Sequence, residues 1–403
     1  MARGSGRPSV TDVFGFLAPG KGKKVEYIEL IYDLIFVYLI GRNNALLEVE
    51  SGFFTGKMYL TYVLSSLIVL QIWYMSAVLI NRYGSNGVLD HIFLFINMYL
   101  LYYLGRGIRP GGEGLQGFLT AWGLIILNLA VQYAIRLGQA RRGGTVTIWE
   151  QMHLQYHLIH HLIQTAVIFA GIPLYRFTGR IFPLAAVIFG FGALILTDQF
   201  DRLVPVDFEH LTERVMLYVV FTFGEMIVAI AGYFTGGFSL STVYYSLFAF
   251  LIVVGLFLSY GYLYNHVIDR ERVTTGTIYM LIHIGLIFAL SNITIGLAFM
   301  REHAVDANRK TIYLIIAFVG FFVFMFRISG FAKESYRAGR AFHGRIILFC
   351  AVFALAEWLL RGIPQASIAA AAAFVFAIFA AVVMRWRRRA AVETTEGSSL
   401  TQI

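Results

Sequence analysis

The chain has 403 residues, of which 58% are apolar and 14% are charged, and its net charge is +9. A soluble globular protein is nearer roughly 45–50% apolar and about a quarter charged, so this composition favours a membrane protein. The positive charges fall between the apolar runs, which argues against a nucleic-acid partner. Cys350 is the only cysteine, so no disulfide within the chain can form.

Apolar runs of about 18 or more residues divide the chain into twelve predicted membrane-spanning helices. Each run is long enough to cross about 30 Å of hydrocarbon, which takes roughly 20 residues. The predicted fold class is therefore all-α, a polytopic transmembrane bundle of about twelve helices. The predicted spans are 27–47, 57–81, 89–108, 116–138, 151–173, 180–199, 211–233, 240–266, 276–300, 311–331, 344–362 and 366–385.

The distribution of Lys and Arg predicts how the helices are oriented in the membrane. Basic residues are concentrated in the N-terminal tail, after the fourth span, after the tenth span and in the C-terminal tail. An even number of spans places all four segments on the cytoplasmic side, with the uncharged connection 235–239 outside. Some outside loops also carry Arg or Lys, so the bias is not absolute. We expect a multi-pass protein of the cell (inner) membrane with cytoplasmic N- and C-termini.

The hydropathy pattern of the first six spans resembles that of the last six. Glu29 and Glu213 begin corresponding stretches 184 residues apart, although few other residues are identical at this offset. Two parallel six-helix repeats would give this pattern, as in one large class of transporters. The predicted organisation is a basic cytoplasmic tail (1–26), a first half (27–200), a second half (201–386) and a second cytoplasmic tail (387–403).

Two acidic residues open the first span. Glu29 and Asp33 are four residues apart, so both carboxylates lie on one helix face, near a helix N-terminus that favours negative charge. They form either a solvated helix start or a paired-acid site for a proton or cation. Polar Asn43 lies near the far end of the same helix and is a further candidate for solute or ion binding.

The seventh span carries a second set of candidate solute- or ion-binding residues: His210, Glu213, Arg214 and Glu225. Glu225 lies near mid-helix between apolar residues, where an ionisable group is costly unless it is paired or faces water. A buried carboxylate in this position is typical of a proton carrier and also of a structural ion pair. We expect Glu225, Glu29 and Asp33 to meet in one polar cavity, together with single polar groups from other spans.

Four histidines occupy the first half of the fifth span: His153, His157, His160 and His161. Spacings of three and four residues place them on one helix face, where imidazoles can chelate Zn, Cu or a haem iron. They can also relay protons near neutral pH. A polar, partly hydrated helix face gives the same pattern, so the metal site is one of several interpretations.

Two stretches resemble motifs of the bacterial low temperature requirement A family. The first is Glu-Leu-Ile-Tyr-Asp-Leu-Ile-Phe-Val at 29–37. The second is His-Leu-Thr-Glu-Arg at 210–214, followed by Gly-Glu-Met-Ile-Val at 224–228. Phe223 stands where the family often has Leu. The resemblance implies a multi-pass membrane protein whose motif residues include Glu29, Asp33, His210, Glu213, Arg214 and Glu225, and transport is the function most often suggested for the family.

A secondary transporter, coupled to protons or cations and moving a small solute, is the leading hypothesis. An intramembrane metal- or haem-binding protein or enzyme that uses the histidine run is the alternative, and a channel or membrane receptor is the third. No phosphate loop or dinucleotide fingerprint occurs in the sequence, so neither an ATP-driven pump nor a nucleotide-dependent enzyme is favoured. The sequence requires no cofactor, and its expected partners are the lipid bilayer, a small solute or ion, and in some cases further copies of the chain.

Overall fold

The computed structural model describes residues 23–47, 53–109, 114–143, 146–234, 237–301, 305–337 and 339–400. The side chains of residues 176, 199, 301 and 386–400 are not described. Most of the N-terminal tail, part of the predicted outside connection 235–239 and the side chains of the C-terminal tail therefore lie outside the described parts of the chain.

Over these residues the chain forms twelve long helices, one helix of four residues (Asp198–Asp201), short 3-10 and π segments, and no strand longer than one bridge. We number the long helices α1 to α12. Their bounds are Tyr27–Asn44 (α1), Gly56–Tyr83 (α2), Val88–Gly107 (α3), Leu115–Gly143 (α4), Ile148–Thr178 (α5), Ile181–Leu196 (α6), Phe208–Ile230 (α7), Leu240–Tyr262 (α8), Thr277–Arg301 (α9), Ala307–Ile328 (α10), Arg340–Leu360 (α11) and Pro364–Leu400 (α12).

The twelve predicted spans thus correspond one to one with α1–α12, and the all-helical fold class is confirmed. Ten of the described helices are long and apolar enough to cross a membrane. The other two are α1, which carries Glu29, Asp33 and Arg42, and α6, which has 16 residues. At about 1.5 Å per residue α6 is about 24 Å long, shorter than the span predicted at 180–199. The chain bends at Thr197 and forms the short helix Asp198–Asp201 instead.

Several helices begin where a side chain can satisfy an unpaired backbone N–H group. Thr55 accepts from the Met58 amide at the start of α2, and Asp207 accepts from the His210 amide at the start of α7. Such N-caps contribute about 1 kcal/mol each. Because Asp207 caps α7, the helix begins three residues before the predicted span and includes His210 in its first turn.

The two halves of the chain use the same pairs of packed helices. Contacts between α1 and α2, α1 and α3, α3 and α4, α4 and α5, α5 and α6, and α2 and α6 recur in the second half. The corresponding pairs are α7 and α8, α7 and α9, α9 and α10, α10 and α11, α11 and α12, and α8 and α12. The contact of α2 with α4 has no comparable counterpart. This recurrence fits two six-helix repeats, whose limits at 27–200 and 201–386 stay predictions.

The halves meet where α1 packs directly against α7. The polar contacts between these helices include three pairs of residues that are 181 positions apart: Glu29 with His210, Asp33 with Arg214, and Asn44 with Glu225. A constant separation along both helices requires that α1 and α7 run parallel and in register. A parallel α1–α7 pair is the arrangement expected for two six-span repeats related by an axis along the bundle.

Glycines allow the closest helix contacts. A Cβ atom at Gly105 of α3 would lie 2.6 Å from the ring of Tyr38 on α1, and one at Gly190 of α6 would lie 2.4 Å from Nε2 of Gln71 on α2. Small residues at helix interfaces are typical of membrane proteins, because they let backbones approach. At Gly190 the space is filled by a hydrogen bond of 2.7 Å between Gln164 Nε2 and Gln71 Oε1.

The orientation predicted from charge can be tested by labelling single cysteines in a Cys350→Ala background. We expect Lys57→Cys, at the start of α2, to react with a membrane-impermeant maleimide added to intact cells, and Arg142→Cys, at the end of α4, to react only after the membrane is opened. Both positions are exposed, so accessibility reports sidedness. The opposite labelling pattern would place the termini outside and contradict the prediction.

Candidate functional site

A buried ion-pair network joins the N-terminal ends of α1 and α7. The Arg214 guanidinium donates from Nε to Asp33 Oδ2 at 3.0 Å and from Nη2 to Asp33 Oδ1 at 2.9 Å. Its Nη1 atom lies 3.1 Å from Glu29 Oε2, although the angles there do not form a hydrogen bond. Asp33 and Arg214 are fully buried and Glu29 is 3% exposed. The bidentate geometry is the strong form of an arginine–carboxylate pair.

Side chains of α2 hold this network in place. The Trp73 indole donates from Nε1 to Asp33 Oδ1 at 3.1 Å, and Tyr32 hydrogen-bonds Ser76 at 2.8 Å. His210 Nε2 lies 3.4 Å from Glu29 Oε2. Its other ring nitrogen, Nδ1, lies 2.9 Å from Asn81 Nδ2, which fixes the ring. We call Glu29, Asp33, His210 and Arg214 the junction network, because they connect the two halves.

Of the two neighbouring charged residues of the second motif, only one belongs to this network. Consecutive helical residues point about 100° apart, so Arg214 faces α1 while Glu213 does not. Glu213 is half-buried and makes no ion pair with a described residue.

Lys23, just before α1, donates to the carbonyl groups of Ile80 and Gly84 at the end of α2, and its burial lowers the pKa of its ammonium group.

Glu225 lies at the opposite end of the α1–α7 contact. Asn44 donates from Nδ2 to both carboxylate oxygens of Glu225 at 3.2 Å, and Asn43 accepts from Ser65 of α2 at 2.5 Å. Eleven residues separate Arg214 from Glu225, which is about 16 Å along the helix. The expectation that Glu225, Glu29 and Asp33 share one pocket was wrong. Glu29 and Asp33 lie in the first two turns of α1 and meet Arg214, whereas Glu225 bonds Asn44 at the other end of α1. Of the other candidate residues, only Asn43 lies at the Glu225 end.

A cavity of about 740 Å³ opens near this second end, between the start of α2, α9 and α10. Among the described residues its walls are mostly aromatic and apolar, and Asn292 and Arg309 are the polar exceptions. Asn292 Oδ1 accepts from the Tyr313 hydroxyl at 2.6 Å, and Asn292 Nδ2 lies 3.3 Å from the Tyr62 hydroxyl. The aromatic residues that line the cavity are Phe53, Phe54, Tyr59, Phe288, Tyr313 and Phe324.

A smaller void of about 10 Å³ lies between the Glu225–Asn44 pair and the large cavity. It is lined by Asn43 and Asn44 of α1, Ser66 of α2, and Phe288 and Ser291 of α9. Phe288 also lines the large cavity. Polar side chains therefore extend from the Glu225–Asn44 pair to the wall of the aromatic cavity.

The histidines of α5 form a second buried cluster, beside the end of α2. His153 Nε2 lies 2.8 Å and His157 Nε2 lies 3.3 Å from Asp201 Oδ1, in the short helix after α6. Arg82 Nη1 lies 3.5 Å from the same oxygen. Although burial raises the pKa of Asp201, the charge of Arg82 and hydrogen bonds from His153 and His157 lower it below its ordinary value.

His160 and His161 lie one turn further along α5, and like His153 and His157 they are at most 2% exposed. The predicted hydrated helix face is therefore a face buried in protein. Two sets of side chains bring ligand atoms within 4.8 Å of one another, His157 with His160 and His161, and His153 with His157 and Asp201. The four histidines are thus brought together as the spacing predicted.

Sequence reasoning missed several residues that complete these sites. Asp201 and Arg82 lie at the ends of predicted spans, where charged residues are ordinary, and Trp73 and Asn292 resemble core and scaffold residues. No local pattern in the sequence distinguishes them. The single polar groups predicted to line a shared cavity instead form separate pairs, such as Asn97 with Asn128, Asp90 with Arg136, Asp198 with Thr275 and Glu357 with Ser367.

Replacing Asp33 with Asn should lower the free energy of unfolding by about 3–5 kcal/mol, because Arg214 would keep its charge in an apolar site with one acid fewer. Thermal unfolding of the detergent-purified protein measures the loss. Glu334→Gln, which removes an exposed pair with Arg337 at 3.7 Å, is the control and should cost about 1 kcal/mol or less. Equal unfolding midpoints for the Asp33 variant and the unaltered protein would contradict a stabilising network.

Comparison with known proteins identifies the family of the chain. The sequence model described as "Bacterial low temperature requirement A protein (LtrA)" matches residues 24–383, which includes both motifs and all twelve long helices except the end of α12. No curated protein matches the chain. The residues of the buried junction network all belong to the two motifs that resemble those of this family. The chain is a multi-pass integral membrane protein that belongs to the bacterial low temperature requirement A family.

Proposed function

We propose that the protein is a secondary transporter of the cell (inner) membrane that couples movement of a small solute to protons or cations. The proposal is based on the hydrogen-bonded pair of Glu225 and Asn44. The Glu225 carboxylate lies where the two halves meet, at the end nearer the large cavity. An ionisable group within a membrane-spanning helix is energetically costly and typically marks an ion or substrate pathway.

Glu225 suits the role of coupling carboxylate because it lies beside an amide side chain and a small void lined by polar residues. Asn44 can donate to the charged carboxylate, and its amide oxygen can accept from the protonated form. The void lined by Asn43, Asn44, Ser66 and Ser291 has room for about one water molecule or a small cation. Binding a proton or cation at Glu225 would thus change the charge at the interface between the halves.

The two ends of the α1–α7 contact differ in a way that supports alternating access. Charged groups with matched partners hold the halves together at the junction network, whereas the cavity lies between the halves at the other end. Under the predicted orientation the junction network is cytoplasmic and the cavity faces the opposite side. We infer that the structure corresponds to a state closed at the cytoplasmic end, and transport would require the network to separate.

The walls of the cavity favour an aromatic or largely apolar solute that carries one polar or anionic group. A volume of about 740 Å³ falls within the range of roughly 300–1,000 Å³ that ligand pockets occupy. Aromatic rings supply most of the lining, and Asn292 and Arg309 supply a hydrogen-bonding amide and a cation. Benzoate, phenylalanine and tryptophan are therefore suitable first probes.

Proton coupling can be tested in proteoliposomes that contain a pH-sensitive dye. We expect at least one of the three probes to drive proton flux through the unaltered protein, and Glu225→Gln to reduce this flux at least tenfold, because the amide cannot exchange the proton. Glu209→Gln, an exposed acid in the first turn of the same helix, should leave the flux unchanged. Equal flux through the Glu225 variant would remove this residue from the mechanism.

Filling the cavity should prevent solute binding without affecting the junction network. Gly320 lines the cavity, and Gly320→Leu should abolish the increase in melting temperature that a binding probe produces. Gly117→Leu is the matched control, because a side chain at Gly117 meets nothing within 4 Å. A probe that stabilises the Gly320 variant as strongly as the unaltered protein would show that it binds elsewhere.

A further inference from the structure

Polar side chains continue along one face of α5 from the histidine cluster toward the middle of the helix. His153, His157, His160, His161 and Gln164 are all buried on this face. The apolar residues Ile159, Leu162 and Ile163 between them are exposed, as a lipid-facing surface requires. This stripe belongs to the first half alone and is separate from Glu225 and the aromatic cavity.

Three imidazole nitrogens in this stripe have no hydrogen-bond partner among the described residues: both nitrogens of His160 and Nε2 of His161. His161 Nδ1 lies 2.7 Å from the carbonyl oxygen of His157, so it is the protonated nitrogen and Nε2 carries a free lone pair. A buried polar group without a partner costs about 1–3 kcal/mol. Three such atoms within two residues indicate that the site holds something besides protein.

The surrounding rings keep these imidazoles in place. Tyr133 of α4 stacks on His157 with ring centroids 5.2 Å apart, and Tyr156 stacks on His160 at 6.2 Å. Phe189 of α6 contacts the other side of His160, at 5.2 Å. Asp201 accepts from the Nε2 side of His157 at 3.3 Å, and a carboxylate behind a ligating histidine is the usual outer partner in metal sites.

From this geometry we infer that His157, His160 and His161 bind a late first-row transition-metal cation, copper or zinc. One nitrogen from each residue lies within 4.8 Å of the others. Metal–nitrogen bonds of about 2.0–2.1 Å need nitrogens about 3.3 Å apart in a tetrahedral site, so small side-chain rotations bring the three into range. Three uncharged imidazoles suit these metals and not Ca²⁺ or Mg²⁺, which prefer oxygen ligands.

The nearby charges favour an ion at the His160 and His161 end of the histidine cluster over one at the His153 end. Arg82 Nη1 lies 3.3 Å from His153 Nε2 and would repel a cation bound between His153 and Asp201. His160 and His161 lie about two turns beyond His153 and so are further from the guanidinium. Asp201 supplies negative charge through His157 but is itself paired with Arg82, so the site is nearly neutral. Monovalent copper and divalent zinc are thus both to be tested.

The test uses full-length protein purified in detergent with an affinity tag that contains no histidine. After treatment with a chelator, the protein is titrated with Zn²⁺ and, under reducing conditions, with Cu⁺. We expect about one ion per chain to bind in at least one titration, and the His160→Gln/His161→Gln double variant to bind it at least tenfold more weakly. His283→Gln replaces a buried histidine of α9 that hydrogen-bonds Tyr279 and should bind as the unaltered protein does.

X-ray absorption of the metal-loaded, unaltered protein provides a readout that does not depend on the folding of any variant. A first coordination shell of three imidazole nitrogens supports the site. Failure of both ions to bind saturably, unchanged affinity in the double variant, or a shell without imidazole would each overturn it. Failure to bind would mean that water alone occupies the site. None of these outcomes bears on proton flux through Glu225, so this inference and the transport proposal can fail separately.

Discussion

The arrangement of the two halves depends on placing the charge of Arg214 in the interior of the bundle. A guanidinium there is stable only if acidic groups meet it with good geometry, and Asp33 and Glu29 do so from the first turns of α1. Trp73 and Asn81 then extend this arrangement to α2. Glu29 and Asp33 lie on one face of α1, and Arg214 lies on the face of α7 that meets them. Their pairing therefore fixes the rotation, direction and register of α1 against α7.

This constraint gives the two ends of the interface different properties. At one end four buried ionisable side chains interlock, while the other end carries the hydrogen bonds from Asn44 to Glu225, small polar residues and a large aromatic cavity. The ion pairs of the junction network therefore fix the relative position of α1 and α7 at the first end. Asn81 and Arg82, successive residues of α2, contact His210 of the junction network and Asp201 of the histidine cluster, so α2 carries residues of both sites.

The sequence predicts the parts of this structure that follow from local pattern. Twelve apolar runs give twelve helices, and four-residue spacings place Glu29 with Asp33 and His157 with His161 on shared faces. The pairing of Arg214 with Asp33, 181 residues apart, depends on how helices pack, which periodicity does not encode. The sequence therefore predicts Glu225 beside Glu29 and Asp33, whereas it lies about 16 Å along α7 from Arg214, the partner of both acids. The roles of Asp201 and Arg82 are not predicted, because the ends of membrane spans normally carry charge.

We propose that the two halves move relative to each other at the cavity end during transport, and distance measurements between spin labels can detect this movement. Labels at Lys57→Cys on α2 and Asn308→Cys on α10, in a Cys350→Ala background, report the separation of the first and second halves near the cavity. In liposomes we expect the distance distribution to shift between pH 8 and pH 5, and we expect Glu225→Gln to remove the shift. An identical distribution at both pH values in the protein that retains Glu225 would contradict this proposal.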